Sequence, residues 1–195
     1  MDRASRESSL VERETHNKAA KEKIAQFISQ LVRNGESIMI DGGSTTHEIA
    51  RMLHSKRNLF VVTNSPAIAD ELLNGLDNQV IVTGGQLREI TRVTSGPLAE
   101  YTVRQFHVDR VILGMSSLMA DEGLFTVNPA EAELKRAMMK CGKEIIVAID
   151  SSKFGKRTLS FVSDFSMVGK LITDGGATPD DIQKIEQNGV EVITV

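Results

Sequence analysis

The chain has 195 residues, 41% of them apolar and 25% charged, which suits one generous globular domain, with or without a small subdomain. A net charge of -3 supplies no global positive field for nucleic acid, and 4% aromatics without tryptophan offer no base-stacking platform. The apolar runs are strand-sized, short of the ~20 residues that span a bilayer; no apolar h-region opens the chain, and the single Cys141 excludes an internal disulfide framework, as suits a reducing cytosol.

Residues 1–16 are charged and polar, without usable periodicity, and read as a linker or arm. From about Asn17, Ile24, Phe27, Ile28 and Leu31 recur at i, i+3, i+4 and i+7, predicting a helix that Asn34-Gly35 ends. The charges between Arg13 and Lys23 are mixed in sign, which reads as a solvated helix face and not as a phosphate-binding patch. Strand and helix signals then alternate: strand Ile38–Asp41, helix near Thr45–Leu53, strand Leu59–Thr63, helix near Pro66–Asn74, strand Val80–Thr83 and helix near Pro97–Phe106. Strand Arg110–Gly114, helix near Pro129–Cys141, strands Glu144–Asp150 and Lys170–Asp174, helix near Pro179–Asn188 and strand Val190–Val195 complete the series. Four helices carry proline in the first turn, where its missing N–H costs nothing. Strands such as Val80-Ile81-Val82 and Ile145-Ile146-Val147 are continuously apolar, as expected when helices cover both faces of a parallel sheet. The fold class is therefore α/β, a Rossmann-like, mostly parallel sheet.

In such sheets ligands bind beyond the carboxyl ends of the strands. Here those ends read Asp41-Gly42-Gly43-Ser44-Thr45-Thr46, Thr63-Asn64-Ser65, Thr83-Gly84-Gly85 with Arg88 beyond, Gly114-Met115-Ser116-Ser117 leading to Asp121-Glu122-Gly123, and Asp150-Ser151-Ser152-Lys153. Where a strand stops and a helix begins, unpaired backbone N–H groups point at whatever sits above, and glycines let an anion approach closely. Five polar ends on one edge predict a pocket rim that prefers a phosphate or carboxylate.

Each element has a blander reading. Gly42-Gly43 also suits a tight turn with Ser44 or Thr45 as N-cap, Asn64 suits a turn satisfied by its own side chain, and Gly84-Gly85 suits a turn alone. Arg88 and Lys153 are either solvated or point charges for a ligand, and Glu131, Glu133 and Lys135 open a helix where acids help stability anyway. His16, His47, His54 and His107 show no metal-ligand spacing, His47 is expected at the surface, and Met138-Met139 read as the core and exposed faces of one helix.

Asp41-Gly42-Gly43-Ser44-Thr45-Thr46, Val62-Thr63-Asn64-Ser65, Thr83-Gly84-Gly85-Gln86-Leu87-Arg88, Gly96-Pro97-Leu98-Ala99, Asp121-Glu122-Gly123-Leu124, Asp150-Ser151-Ser152-Lys153-Phe154-Gly155 and Ile172-Thr173-Asp174, taken in order, resemble the sensor domain of the DeoR family of bacterial transcription regulators over about residues 10–195. No single motif is specific; seven in order are. The resemblance implies a fold like that of ribose-5-phosphate isomerase, glucosamine-6-phosphate deaminase and coenzyme A transferases. It implies a repressor's effector domain that binds a phosphorylated sugar and assembles as a homodimer or homotetramer. Operator DNA is then bound only through an N-terminal winged helix-turn-helix that this sequence lacks, with residues 1–16 as the arm that follows it and 17–195 as the sensor. No membrane, metal or cofactor partner is expected.

Carried over by position, Asp41, Gly43, Ser44, Thr45 and Thr46 would form the phosphate cradle. Thr63, Asn64, Gly84, Gly85 and Arg88 would line two further sides. Glu131, Lys135 and Lys153 would close the site, with Asp121 and Glu122 on a loop above. The rival expectation is a sugar-phosphate isomerase or deaminase on the same fold, with Asp41, Asp121, Glu122 or Glu131 as general base.

Overall fold

The computed structural model describes residues 8–74 and 76–195, so the sequence readings on residues 1–7 lie outside the described residues. The helices are α1 (Leu10–Thr15), α2 (Lys18–Leu31), α3 (Ser44–Met52), α4 (Pro66–Leu73), α5 (Pro97–Val103), α6 (Pro129–Met139) and α7 (Pro179–Glu186). The strands are β1 (Ser37–Ile40), β2 (Phe60–Thr63), β3 (Gln79–Val82), β4 (Gln86–Leu87), β5 (Thr94–Ser95), β6 (Val108–Gly114), β7 (Ser117–Met119), β8 (Gly123–Thr126), β9 (Gly142–Ala148), β10 (Ser160–Ser163), β11 (Lys170–Thr173) and β12 (Glu191–Thr194).

All seven strands read from the sequence form one sheet in the order β12-β11-β9-β6-β1-β2-β3, and every pairing in it is parallel. The chain starts at β1, winds outward through β2 and β3, then returns and winds the other way from β6. The order therefore reverses between β1 and β6, and a crevice opens beyond their carboxyl ends. Reversing direction also puts the crossover helices on opposite faces. Ile38 and Ile40 face α2, α3 and α4 in one apolar layer, while Met39 faces the layer built from α5, α6 and α7. Because both faces are covered, Ile38, Met39 and Ile40 are all fully buried, which is why β1 reads as an unbroken apolar run.

Two small antiparallel sheets gave no readable signal. One is β10-β8-β7; the other pairs Gln86 with Ser95 and Leu87 with Thr94. Strands of two to four residues rich in Ser, Thr and Gly carry too little periodicity to be seen. The β10-β8-β7 sheet covers the outer side of α6, so Met138 and Met139 are both buried, correcting the expectation that one faces solvent. The α1 segment corrects the patternless reading of its residues: Ser9 and Glu12 form a reciprocal capping box at the helix start.

The turn after β1 is set by close packing. A Cβ on Gly42 would lie 2.1 Å from Val93 Cγ1 and 3.0 Å from Ser65 Cβ, whereas one on Gly43 would meet only the Thr46 hydroxyl at 3.3 Å. Gly42→Ala should thus destabilise the fold by about 1–3 kcal/mol through overpacking, and Gly43→Ala clearly less. Paired denaturant titrations would check this; equal losses would mean that Val93 does not limit the turn.

Candidate functional site

The centre of the crevice is held by charge. Asp41, directly after β1, is 1% exposed; its Oδ1 accepts the Gly114 N–H at 2.7 Å and its Oδ2 accepts from Lys135. The same Lys135 ammonium donates to the Gly114 carbonyl at 2.8 Å. One helix side chain thus ties together the diverging ends of β1 and β6. Burial pushes the Asp41 carboxyl upward, while Lys135 and the Gly114 N–H pull the other way.

The ends of β2 and β3 do not face open space. The β4–β5 hairpin folds over them. Asn64 Oδ1 accepts the Gly42 N–H at 2.7 Å, and its Nδ2 donates to the Thr94 carbonyl at 3.2 Å. The Thr63 hydroxyl accepts the Ser65 N–H at 3.1 Å, and the Thr46 hydroxyl donates to the Gly43 carbonyl at 3.0 Å. A Cβ on Gly84 would strike Leu98, and Gly85 sits at φ +114 against the Ser95 carbonyl. Arg88 reaches across to Glu131, whose carboxylate also accepts from Thr91 at 2.8 Å. Thr46, Thr63, Asn64, Gly84, Gly85 and Arg88 therefore hold loops together and do not line the cavity. The pocket rim expected from five polar strand ends is therefore narrower in the structure: the protein's own hairpin lies over the ends of β2 and β3.

The open half lies over β1, β6 and β9. It comprises a cavity of about 420 Å³ and, beneath it, a recess of about 20 Å³. Arg13, Ser44, Ser116 and Lys153 line both. Gly43, Thr45, Glu131 and Lys135 line the recess. Thr45 is 2% exposed, and its hydroxyl oxygen is buried without a hydrogen-bond partner. An unfilled hydroxyl at a helix N-terminus is an uncompensated polar group awaiting an acceptor or donor. Lys153 extends from the turn after β9, donates to the Met115 carbonyl at 3.1 Å and lies 3.5 Å from Asp150 Oδ2. Burial lowers its pKa to about 8, against the attraction of Asp150 and with help from the Lys21 and Arg13 charges. Burial would raise Asp150, yet Lys153, Ser152 and Asn17 more than offset this and hold the carboxyl below its usual range.

Asp121 and Glu122 fall outside the cavity, on the turn between β7 and β8, where Glu122 pairs with Arg157. The sequence reading also overlooked part of the wall. Arg13, Lys21, Lys156 and Thr158 all line the larger cavity, and Lys21 is 2% exposed, so the Arg13–Lys23 cluster is not simply a solvated face. The overlooked signal was register: Lys21 sits three residues before Ile24, on the buried stripe of α2 with Ala25 and Ile28. His47 is not on the surface but bonds Glu14 of α1 at 2.9 Å. Among the described residues no cluster of three or more His, Cys, Asp or Glu could hold a metal, and no helix is long and apolar enough to cross a membrane.

Lys135→Met should cost about 3–5 kcal/mol, because it strands a buried carboxylate. Loss of the cation raises the Asp41 pKa further, so the deficit should be largest at neutral pH and shrink as pH falls through that raised value. Adding Asp41→Asn should recover part of it. Unfolding measured at pH 7 and pH 5 is the check, and a pH-independent deficit would refute the charge argument.

A family model described as the DeoR C terminal sensor domain matches residues 16–175. The putative aga operon transcriptional repressor of Escherichia coli O157:H7 is 32% identical over 189 residues, covering 97% of this chain and 70% of that protein. The transcriptional repressor AccR of Agrobacterium fabrum is 37% identical over 161 residues, covering 82% and 62%. The glycerol-3-phosphate regulon repressor of Escherichia coli K12 is 29% identical over 172 residues, covering 88% and 68%. The chain thus spans roughly two thirds of the length of these relatives. Among solved structures, eIF2B beta from Chaetomium thermophilum matches with a TM-score of 0.54 at 17% identity, covering 79% of this chain and 48% of that one. A D-ribose-5-phosphate isomerase in complex with phospho-erythronic acid matches with a TM-score of 0.50 at 13% identity, covering 70% and 54%. At such identities these two likenesses speak for the fold alone. Matched over 160 residues by the family model, and more than 30% identical to two repressors, the chain belongs to the DeoR family as a C-terminal sensor domain.

Proposed function

We propose that this sensor domain binds a phosphorylated sugar or related phosphorylated metabolite in the crevice over β1, β6 and β9. The effector then controls a winged helix-turn-helix that the arm at residues 1–16 joins to the sensor in the whole regulator. The observation that carries the reading is the buried, unpartnered Thr45 hydroxyl at the start of α3, in a recess that Lys153 also lines. A dianion there would accept from that hydroxyl, from the N–H groups of the first helical turn and from the Lys153 ammonium. Asp150, Ser116, Ser152 and Thr158 line the larger space beside it and suit sugar hydroxyls. One relative is named for a glycerol-3-phosphate regulon, which favours phosphorylated over neutral ligands.

The whole protein, in this reading, is a cytoplasmic repressor of a sugar-utilisation operon, active as a homodimer or homotetramer, with residues 1–16 following its DNA-binding domain. Effector binding can shift operator affinity only by its differential affinity for the two arrangements. The isomerase or deaminase alternative receives less support. Asp41 and Glu131 are tied to Lys135 and Arg88, Asp121 and Glu122 lie away from the cavity, and Asp150 is held ionised below the range that suits a general base. Turnover of ribose 5-phosphate by the chain would reverse that ranking.

A thermal-shift panel of sugar phosphates, glycerol 3-phosphate included, should raise the melting temperature where the parent sugars do not. Thr45→Val should stabilise the unliganded chain by about 1 kcal/mol, by removing an unsatisfied buried polar group, yet weaken the phosphorylated ligand. A variant that gained neither stability nor lost affinity would remove Thr45 from the site. Affinity should also depend on pH. Phosphate takes its second charge above pH ~6, and Lys153 loses its own above about 8. Binding measured by calorimetry should therefore be tightest between these values and fall about tenfold per unit at higher pH. An unchanged affinity up to pH 10 would show that Lys153 does not hold the anion.

A further inference from the structure

The cavity has a wall that comes from outside the α/β body. Arg13 lies on α1, lines both the recess and the larger cavity, and keeps its Nε buried without a hydrogen-bond partner. A guanidinium with an unmatched donor beside a cationic recess suits an anion that offers several oxygens in a plane, as a phosphate does. Arg13 is also close enough to Lys153 for the two charges to repel, and an anion between them would relieve this.

The helix that carries Arg13 is weakly held. It has six residues, none of them buried, and isolated helices of that length do not persist in water. Its attachments are polar. The Leu10 N–H donates to the Ile90 carbonyl at 3.0 Å, Glu14 bonds His47, and the Lys21 ammonium donates to the carbonyls of Arg13 and His16. At the joint with α2, Asn17 adopts a left-handed conformation (φ 51) and its amide donates to Asp150 Oδ1 at 3.0 Å. Lys21 and Asp150, which pin this joint, themselves line the cavity. The ligand space and the attachment of α1 thus share the same groups.

We propose that the effector's phosphate is gripped from two sides, by Lys153 of the body and by Arg13 of α1, so that ligand binding fastens the segment N-terminal to residue 17 onto the sensor. This rests on the phosphate-binding reading above and adds to it an Arg13 contact and a path for the signal. In the regulator of that reading the DNA-binding domain joins ahead of α1, so a fastened α1 would hold its attachment to the sensor.

The test uses the full chain with inorganic phosphate and glycerol 3-phosphate as probes, followed by calorimetry and by amide hydrogen exchange over residues 10–17. Arg13→Gln keeps the backbone carbonyl that anchors Lys21, so the unliganded fold and its exchange pattern should be unchanged. Its phosphate dissociation constant should rise about tenfold, a difference of about 1.4 kcal/mol. Lys23→Gln removes an equal charge from an exposed position and should change nothing, which controls for net charge. Ligand-induced slowing of exchange at 10–17 should appear in the wild type and be lost in Arg13→Gln. Wild-type affinity in Arg13→Gln, or no ligand effect on exchange at 10–17, overturns the two-sided grip; if Lys153→Met still loses binding, the phosphate site survives that failure. Absence of binding of either probe to the wild-type chain overturns the site itself, and the grip with it.

Discussion

The bond between Lys135 and Asp41 is the interaction on which the site depends. A doubly wound sheet must reverse its strand order somewhere, and there two neighbouring strands send their chains to opposite faces. At that point the Gly114 backbone at the end of β6 loses its partner on the β1 side, while the Asp41 N–H still donates to the Ile112 carbonyl at 3.1 Å. Asp41 and Lys135 supply one: the carboxylate takes the Gly114 N–H, and the ammonium takes both the carboxylate and the Gly114 carbonyl. A buried ion pair adds little net stability against an apolar replacement. What this one provides is position, since it holds the crevice floor at fixed width with its polar groups satisfied.

On that floor the two halves of the crevice have opposite fates. Over β2 and β3, Asn64, Thr83 and Thr94 bond one another and the β4–β5 hairpin lies down on the strand ends. Polar residues there are matched within the protein. Over β6 and β9 the complement is incomplete: Thr45 lacks a partner, and Arg13, Lys21, Lys153 and Lys156 outnumber Glu12 and Asp150. The difference between a structural polar cluster and a ligand site is whether the donors and acceptors close on themselves. Here donors and acceptors close on themselves over β2 and β3 and stay partly unmatched over β6 and β9.

Much of this was legible in the sequence, for identifiable reasons. The inner sheet strands were readable because burial on both faces leaves unbroken apolar runs, and the proline-marked helices because their first turn tolerates a missing N–H; Val80-Ile81-Val82 carries the same run but is an edge strand whose Val82 is 42% exposed, so there the expectation of two covered faces fails. Asp41, Ser44, Thr45, Lys135 and Lys153 were readable because they follow strand ends or recur in the family pattern. Asp121 and Glu122 misled because a Gly-flanked acidic turn looks alike whether it overhangs a pocket or pairs with Arg157. Lys21 and Arg13 were misjudged because charge patterning reports average solvation, not that Lys21 falls on the buried stripe of α2 or that Arg13 borders the cavity.

The sequence by itself determined the sheet, its parallel sense, the polar strand ends along one edge and the family. All of these are written in local periodicity and in short motifs that do not need a partner to be recognised. Only the tertiary structure decided which strand ends stay open, that a hairpin closes β2 and β3, and that α1 lends Arg13 to the cavity. Those outcomes depend on contacts between segments 30 or more residues apart, such as Asn64 with Thr94 and Asn17 with Asp150. Whether a given polar side chain is spent or free is a property of the neighbour it meets, and no window of sequence contains that neighbour.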